Sequence, residues 1–308
     1  MIGDIKNIVD KYNLVLRGIS NYKNVTIINT DKGRFVIKKA NSNGNIYDYL
    51  TNRDFNYILR SNRVDNYEIF EYIEEVDIPI EEKAIEIINI MSLLHNKTTY
   101  YREVNIDKVK ELYESINNRI ISLDDYYKRM QDEIEEMTYP SPGEYLLLIN
   151  MSLIYRALAF SKSNLDKWYE IKSKKEKERL VLLHNNLSTK HLLIGNKRSL
   201  ISWNNSKRDI PIYDFLKFYK NEYMYLEMNT LFDIYQEKYF FTDDEYTLFL
   251  TLISIPEKVV FNKSNYTNCE NVYKLINYLK KTDNFISNEN KKAQQEEKDN
   301  FNEENNCM

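Results

Sequence analysis

The sequence predicts an α+β chain in two lobes, a small N-terminal lobe built on an antiparallel sheet and a larger, mainly helical C-terminal lobe. Three observations carry that expectation. Short β-branched runs separated by turn residues fill the N-terminal quarter, and long segments with an apolar residue at every third or fourth position dominate from Ile80 onward. Near Val181 two apolar runs flank a polar loop, which reads as a buried strand, a loop exposing side chains at its mouth, and a returning strand.

Taken in order, residues 4–12 form an amphipathic helix with Ile5, Ile8, Val9 and Tyr12 on one face. Strands are expected over 14–19, 25–29 and 35–39, the last two joined through Thr30-Asp31-Lys32-Gly33, a hairpin signal. A helix over 46–60 and a strand over 64–73 follow, and Asp77-Ile78-Pro79 turns the chain into the next helix. The lobe boundary therefore falls after residue 76. Helix 80–95 carries Ala84, Ile88, Met91 and Leu94, and His95 at its end suits the helix dipole. A long helix over 106–137 is stopped by Pro140-Ser141-Pro142-Gly143, and a second, bearing Leu147, Met151, Ile154 and Leu158, runs back toward Trp168. The pair reads as an antiparallel helical lobe or as an interaction arm. Residues 172–179, with charges of both signs, read as a solvated helix end. Helical patterns recur at 229–239, 243–255 and 269–280, with Thr242 and Glu245 forming a capping box for the middle one. Residues 77–286 thus make the helical lobe, and 287–308, rich in Asn, Glu, Lys and Gln, a disordered polar tail.

Composition removes several function classes. With 43 basic and 47 acidic residues the net charge is −4, so no basic surplus points to nucleic acid as a partner. Cys269 and Cys307 have no metal-ligand spacing, which suits a reducing, cytoplasmic setting. Neither a signal peptide nor a membrane span is expected, because no charged segment precedes an apolar one and no apolar stretch is long enough. The 26 tyrosines admit an interface or cross-linking surface, although composition alone favours a biased genome. Oligomeric state is left open.

The informative stretch runs Val181-Leu182-Leu183-His184-Asn185-Asn186-Leu187-Ser188-Thr189-Lys190-His191, then Leu200-Ile201-Ser202-Trp203-Asn204, then Asp209 and Asp214-Phe215-Leu216. This layout resembles the phosphotransfer core of the aminoglycoside phosphotransferase/choline kinase-like superfamily, and most closely its CotS-type spore-coat kinase-like proteins. The Leu94-His95-Asn96-Lys97-Thr98 string is similar to a helix end common in that branch. The resemblance implies a two-lobed, protein-kinase-like fold of aminoglycoside phosphotransferase type. In that family a His-Gly-Asp is followed five residues later by Asn, then by an Ile-Asp-Phe/Trp-Asp strand end and an Asp-Leu-Ala helix start. Here the spacing is kept and the chemistry is not. His184 stands at the motif histidine, a position whose ring is usually bonded to backbone. Asn185 replaces the glycine, Asn186 the hydroxyl-orienting aspartate, and His191 the metal-binding asparagine. Ser202 replaces the metal-binding aspartate and Asn204 the second acid of that strand, while Asp214 alone stays acidic. The resemblance also places Lys38 at the phosphate-binding lysine of the third strand. Taken alone, Lys38 equally suits an outward, solvated strand lysine. No glycine cluster accompanies it, and the following segment offers Asp48 and Asp54 rather than a glutamate partner.

These exchanges can be weighed. Positioned acid–base catalysis is worth on the order of 100- to 10,000-fold, so an amide at 186 alone predicts a crippled enzyme. Magnesium wants hard oxygen ligands in octahedral geometry, and here an imidazole and a neutral hydroxyl replace them. The expectation is a pseudokinase with no competent catalytic residue and no cofactor, acting through an unknown protein partner or small ligand. If the source forms spores, coat or envelope assembly is a setting. The alternative is an ATP- and magnesium-dependent phosphotransferase acting on an alcohol group, using Lys38, Asn186, His191 and Asp209 as a substitute ligand, with Asp214 structural, as a helix cap. A helical zinc pair is not supported by the seven-residue spacing of His184 and His191, nor a serine hydrolase by any Gly-x-Ser-x-Gly.

Overall fold

The computed structural model describes residues 8–22, 25–40, 46–261 and 264–306. Its N-terminal sheet contains β1 (Leu16–Tyr22), β2 (Val25–Thr30), β3 (Gly33–Lys39), β4 (Ser61–Val64) and β5 (Tyr67–Glu71), in the antiparallel order β1-β2-β3-β5-β4. The β2–β3 turn ends on Gly33, whose φ of +122° only glycine adopts freely, and the Thr30 hydroxyl donates to its carbonyl at 2.8 Å. Strand alternation then sorts the side chains. Ile28, Ile37 and Ile69 face a small core with Ile8 and Val9 from a helical turn at 8–11, while Val36, Lys38 and Phe70 face the other way. Ile5, expected on that first helix, lies outside the described residues.

The helix expected over 46–60 is short, α1 (Ile46–Thr51), and Asp54 at φ +54° ends it. Leu50, Phe55 and Ile58 then enter the larger core rather than the small one. The boundary after residue 76 is therefore a boundary of chain and not of packing.

The helical lobe comprises α2 (Ile80–Thr98), α3 (Ile106–Glu135), α4 (Pro142–Leu148), α5 (Met151–Ser173), α6 (Ile212–Glu222), α7 (Met228–Lys238), α8 (Asp243–Ser254) and α9 (Asn265–Asn306). Where one proline-turned pair of helices was expected, Pro142 instead opens a short third helix, with Ser141 and Glu144 as its capping box. Thr242 and Glu245 form the capping box of α8. Two small sheets complete the lobe: β6 (Tyr100–Glu103), β7 (Lys177–Leu183) and β10 (Lys207–Asp209) in the order β10-β7-β6, and the pair β8 (Leu192–Ile194) and β9 (Arg198–Leu200). No helix among the described residues is long and apolar enough to cross a membrane.

Two segments read from charge alone make contacts that their composition does not disclose. The run 172–179 is solvated only in part: Lys174, Glu176 and Lys177 are exposed, but Lys172 is buried, with its ammonium 2.9 Å from Glu178 and 3.1 Å from Asp244, and Arg179 pairs with Glu245 at 2.5 Å. These ion pairs link α5, β7 and the start of α8. In the segment expected as a polar tail from 287, α9 continues to Asn306. Lys292 reaches Asp233 at 2.7 Å and Asn229 donates to Glu289 at 2.9 Å, so ion pairing to α7 extends a helix already anchored by buried Phe285 and Ile286. A composition argument weighs only apolar burial and misses such pairing. Cys307 lies outside the described residues.

Where the lobes meet, the Val76 amide donates to the Ile194 carbonyl at 2.7 Å, and Gly195 in the β8–β9 turn is pressed against the Ile73–Glu74 segment. A Cβ there would collide with the Glu74 carbonyl and the Ile73 side chain. Gly195→Ala is therefore expected to lower unfolding free energy by about 1–3 kcal/mol, read as a shifted urea midpoint at constant slope. An unshifted midpoint would show that the lobes are not in close contact there.

Candidate functional site

Between the five-stranded sheet and the β8–β9 pair lies a cavity of about 260 Å³. Ile27, Val36 and Phe70 line it from the sheet, and Leu193, Leu200 and Trp203 from the helical lobe. Lys38, Tyr47 and Ser202 bring polar groups to these apolar walls. Lys38 reaches the cleft because it shares a strand face with Val36, and its ammonium lies 5.1 Å from the centre of the Phe70 ring. Burial lowers its proton affinity, and the Glu68 carboxylate opposes that shift. Glu68 is the register partner of Lys38 across β3 and β5. The acidic neighbour thus comes from the adjacent strand of the sheet rather than from the following segment, whose acids are Asp48 and Asp54; antiparallel register is the signal that discloses it. Burial, with Glu68 adding to it, pushes the Tyr47 hydroxyl up to about 12.

Below the cleft, the polar loop is shaped by one carboxylate. Asp214 is wholly buried and accepts from the His184 amide at 2.8 Å and the Asn185 amide at 2.6 Å. Its Oδ2 lies 3.1 Å from His95 Nε2, and His95 Nδ1 lies 2.7 Å from the Tyr235 hydroxyl. A neutral imidazole satisfies both contacts, donating through Nε2–H and accepting from the tyrosine. The helix starts at Ile212 with Pro211 as its N-cap, so Asp214 is not the cap expected; it stands in the first turn, where the helix field favours an anion. His95 likewise does more than suit a helix end, since it ties α2 to the loop anchor. Asn185 adopts φ +57°, the left-handed conformation that glycine enters freely and asparagine tolerates. That local demand accounts for the glycine at this place in the related motif.

The His184 ring is buried against Trp203, centroids 4.6 Å apart, with Nε2 bonded to the Ile201 carbonyl at 2.9 Å. Its Nδ1 has no hydrogen-bond partner among the described residues. Burial pushes its pKa down to about 4, against Asp214 and the Ile201 carbonyl, which favour the proton. His191 is half-buried, its Nδ1 3.0 Å from the Ser188 hydroxyl and its ring 6.1 Å from that of His184. Burial lowers its proton affinity too, the Asn186 carbonyl opposing. The Asn186 carboxamide makes no hydrogen bond among the described residues. Ser202 lies at the cleft with φ +70°, and Asn204 is exposed on the short turn Trp203–Asn205.

The chain therefore gathers Lys38 and Ser202 at the cleft and His184, Asn186 and His191 in the loop. Asp209 is placed elsewhere. Its carboxylate accepts from Lys207 at 2.6 Å and from the Ile210 amide at 2.9 Å, on a separate depression beside Lys172 and Asp244. On β10 it is the register partner of Val181 in β7. Among the described residues no cluster of three His, Cys, Asp or Glu side chains could hold a metal. The cleft wall also carries Glu71 and Glu75, but these pair with Lys197 and Lys83; the donors around Asn186, His191 and Ser202 are imidazoles, amides and a hydroxyl, and the Asp214 carboxylate is occupied by three partners. Such a set does not fit magnesium.

Asp214→Asn is expected to destabilise the fold by about 2–4 kcal/mol, since an amide cannot accept from all three donors, and to speed exchange of the His184 and Asn185 amide protons. Wild-type exchange rates in the variant would remove Asp214 as the loop's anchor. The His184 shift also fixes a pH dependence. Between its unfolded pKa near 6.5 and its folded value of about 4, the unfolded chain binds more protons, so stability is complete above the upper limit and falls by about 3 kcal/mol toward the lower. His191 acts in the same direction. Denaturation curves from pH 7 to 4 test this, and His184→Gln should flatten the slope; an equal slope in that variant would contradict it.

No protein-family model and no curated protein sequence matches the chain. Solved structures do. An aminoglycoside phosphotransferase from Alicyclobacillus acidocaldarius superposes with a TM-score of 0.68 at 12% identity, over 93% of this chain and 95% of that one. The AMP-bound complex of a spectinomycin phosphotransferase superposes with a TM-score of 0.54 at 12% identity, over 90% of this chain and 97% of that one. At such identity the likeness establishes the fold: a protein-kinase-like fold of aminoglycoside phosphotransferase type, with its antiparallel N-terminal lobe and mainly helical C-terminal lobe.

Proposed function

We propose that this protein is a pseudokinase, which binds a small ligand or a protein partner at the interlobe cleft without transferring phosphate. The observation that carries the reading is the donor set. By the motif spacing of the sequence resemblance, Asn186, His191 and Ser202 take the positions of a base and metal ligands, and the nearby carboxylate of Asp214 is committed to the loop amides and His95. Phosphoryl transfer depends on positioned groups and on neutralising charge through a metal, and neither is provided for. The cleft itself is suited to a flat, largely apolar ligand carrying limited negative charge opposite Lys38. One structural neighbour is a complex with AMP, which makes an adenine nucleotide the first ligand to test. Synthesis in the cytoplasm and a role in spore-coat or envelope assembly are the settings that the CotS-type resemblance suggests.

A second reading has one observation in its favour. The loop keeps its scaffold, with a left-handed residue at 185, an acid at 214 and a lysine facing the cleft, so a weak phosphotransferase acting on an alcohol group has the framework it would need.

Thermal denaturation with AMP or ATP, in magnesium or in EDTA, separates the two. A ligand at about 100 times its dissociation constant stabilises by roughly 2.7 kcal/mol. For a pseudokinase the shift is the same with and without the metal. The triple variant Asn186→Asp, His191→Asn, Ser202→Asp should acquire a magnesium-dependent shift. Magnesium-dependent binding by the natural chain, with ATP turnover on an alcohol, would overturn the proposal.

A further inference from the structure

A depression of about 470 Å³, sharing no lining residue with the cleft, opens between the end of α6, the 257–260 segment that follows α8, and the first turns of α9. Its charge is unbalanced. Lys220, Lys258 and Lys274 line it together with one carboxylate, Glu257. Lys274 is already paired with Glu270 at 2.7 Å, and the Lys258 ammonium rests over the Tyr126 ring, 4.1 Å from its centre. The Lys220 ammonium has neither a hydrogen bond nor an ion pair among the described residues. It is also partly desolvated: burial lowers its proton affinity, Arg119 and Lys217 lower it further, and Glu257 opposes them. A cation drawn out of water and set beside further cations is unfavourable unless something supplies negative charge. Folding alone gives no reason to keep it there, since an apolar residue of the same length would fill the space. The volume lies within the range of small-molecule sites, and Tyr223, Leu275 and Tyr278 add apolar walls.

We propose that this depression binds a phosphate-bearing small molecule, with the Lys220, Lys258 and Lys274 ammoniums on the phosphate and the tyrosine rings against the organic portion. Lysine suits a phosphate as a point charge with freely turning donors. The site is independent of the cleft ligand proposed above and lies next to the loop anchor, for Asn221, the residue after Lys220, donates to the Leu187 carbonyl at 2.8 Å.

Titration calorimetry and thermal denaturation with pyrophosphate and with glycerol 3-phosphate, at fixed ionic strength, test the assignment. Saturable binding is expected in the natural chain and in Lys38→Met, and a loss of affinity of about tenfold or more in Lys220→Met. Without ligand, Lys220→Met should melt no lower than the natural chain, because it removes an uncompensated charge. Lys258→Met, at the exposed rim, supplies the same readout if Lys220→Met does not fold. The assignment is overturned if neither probe binds, if sodium chloride reproduces the shift, if the lysine variants at this site bind as well as the natural chain, or if binding is lost only in Lys38→Met.

Discussion

A single buried carboxylate fixes the shape on which the site depends. Asp214 holds the two amides that open the polar loop, and through His95 and Tyr235 it joins the loop to α2 and α7. The other end of the same helix finishes the task. Asn221 donates to the Leu187 carbonyl, and Glu222 accepts from the Thr189 amide at 2.7 Å and from its hydroxyl at 3.0 Å. One helix therefore grips the loop at 184–185 and again at 187–189, satisfying backbone groups that burial would otherwise leave unpaired. Between those grips lies Asn186, whose side chain takes no part in holding the loop. Scaffold and chemistry are in this way separable. The residue at 186 can change without disturbing the fold, whereas the residue at 214 cannot.

The same separation explains what the sequence disclosed. Strand alternation and the Gly33 turn marked the N-terminal sheet, and helical spacing marked α2, α3 and α5, because burial of one face writes a period into the chain. Loop and strand spacing around His184 located the polar loop. What stayed hidden was set by partners distant in sequence. His95 meets Asp214 across 119 positions and Tyr235 across 140, so nothing local distinguishes it from a histidine at a helix end. Glu68 faces Lys38 only once β3 and β5 are in register. β6 pairs with β7 although its four residues are all exposed and show no alternation. Lys172 in the run 172–179 and Lys292 in α9 settle against opposite charges supplied by distant elements, and the composition of either segment alone does not reveal this.

Electrostatics also set limits on the cleft. Lys38 is partly desolvated among apolar neighbours, with Glu68 as the charge that moderates its position. A polyphosphate would bring several negative charges to that one lysine, and a metal cation would ordinarily neutralise the excess. The donors around Asn186, His191 and Ser202 do not provide for such a cation. On the proposed reading, then, the cleft is matched to a ligand of small net charge, whose flat apolar body rests between Val36 and Trp203 and whose single anionic group competes with Glu68 for Lys38. A surplus of positive charge lies elsewhere, in the depression lined by Lys220, Lys258 and Lys274. On the same proposed reading, positions 186 and 202 lack the carboxylates that a phosphotransferase would use, while the depression at Lys220 gathers cations that folding alone does not require.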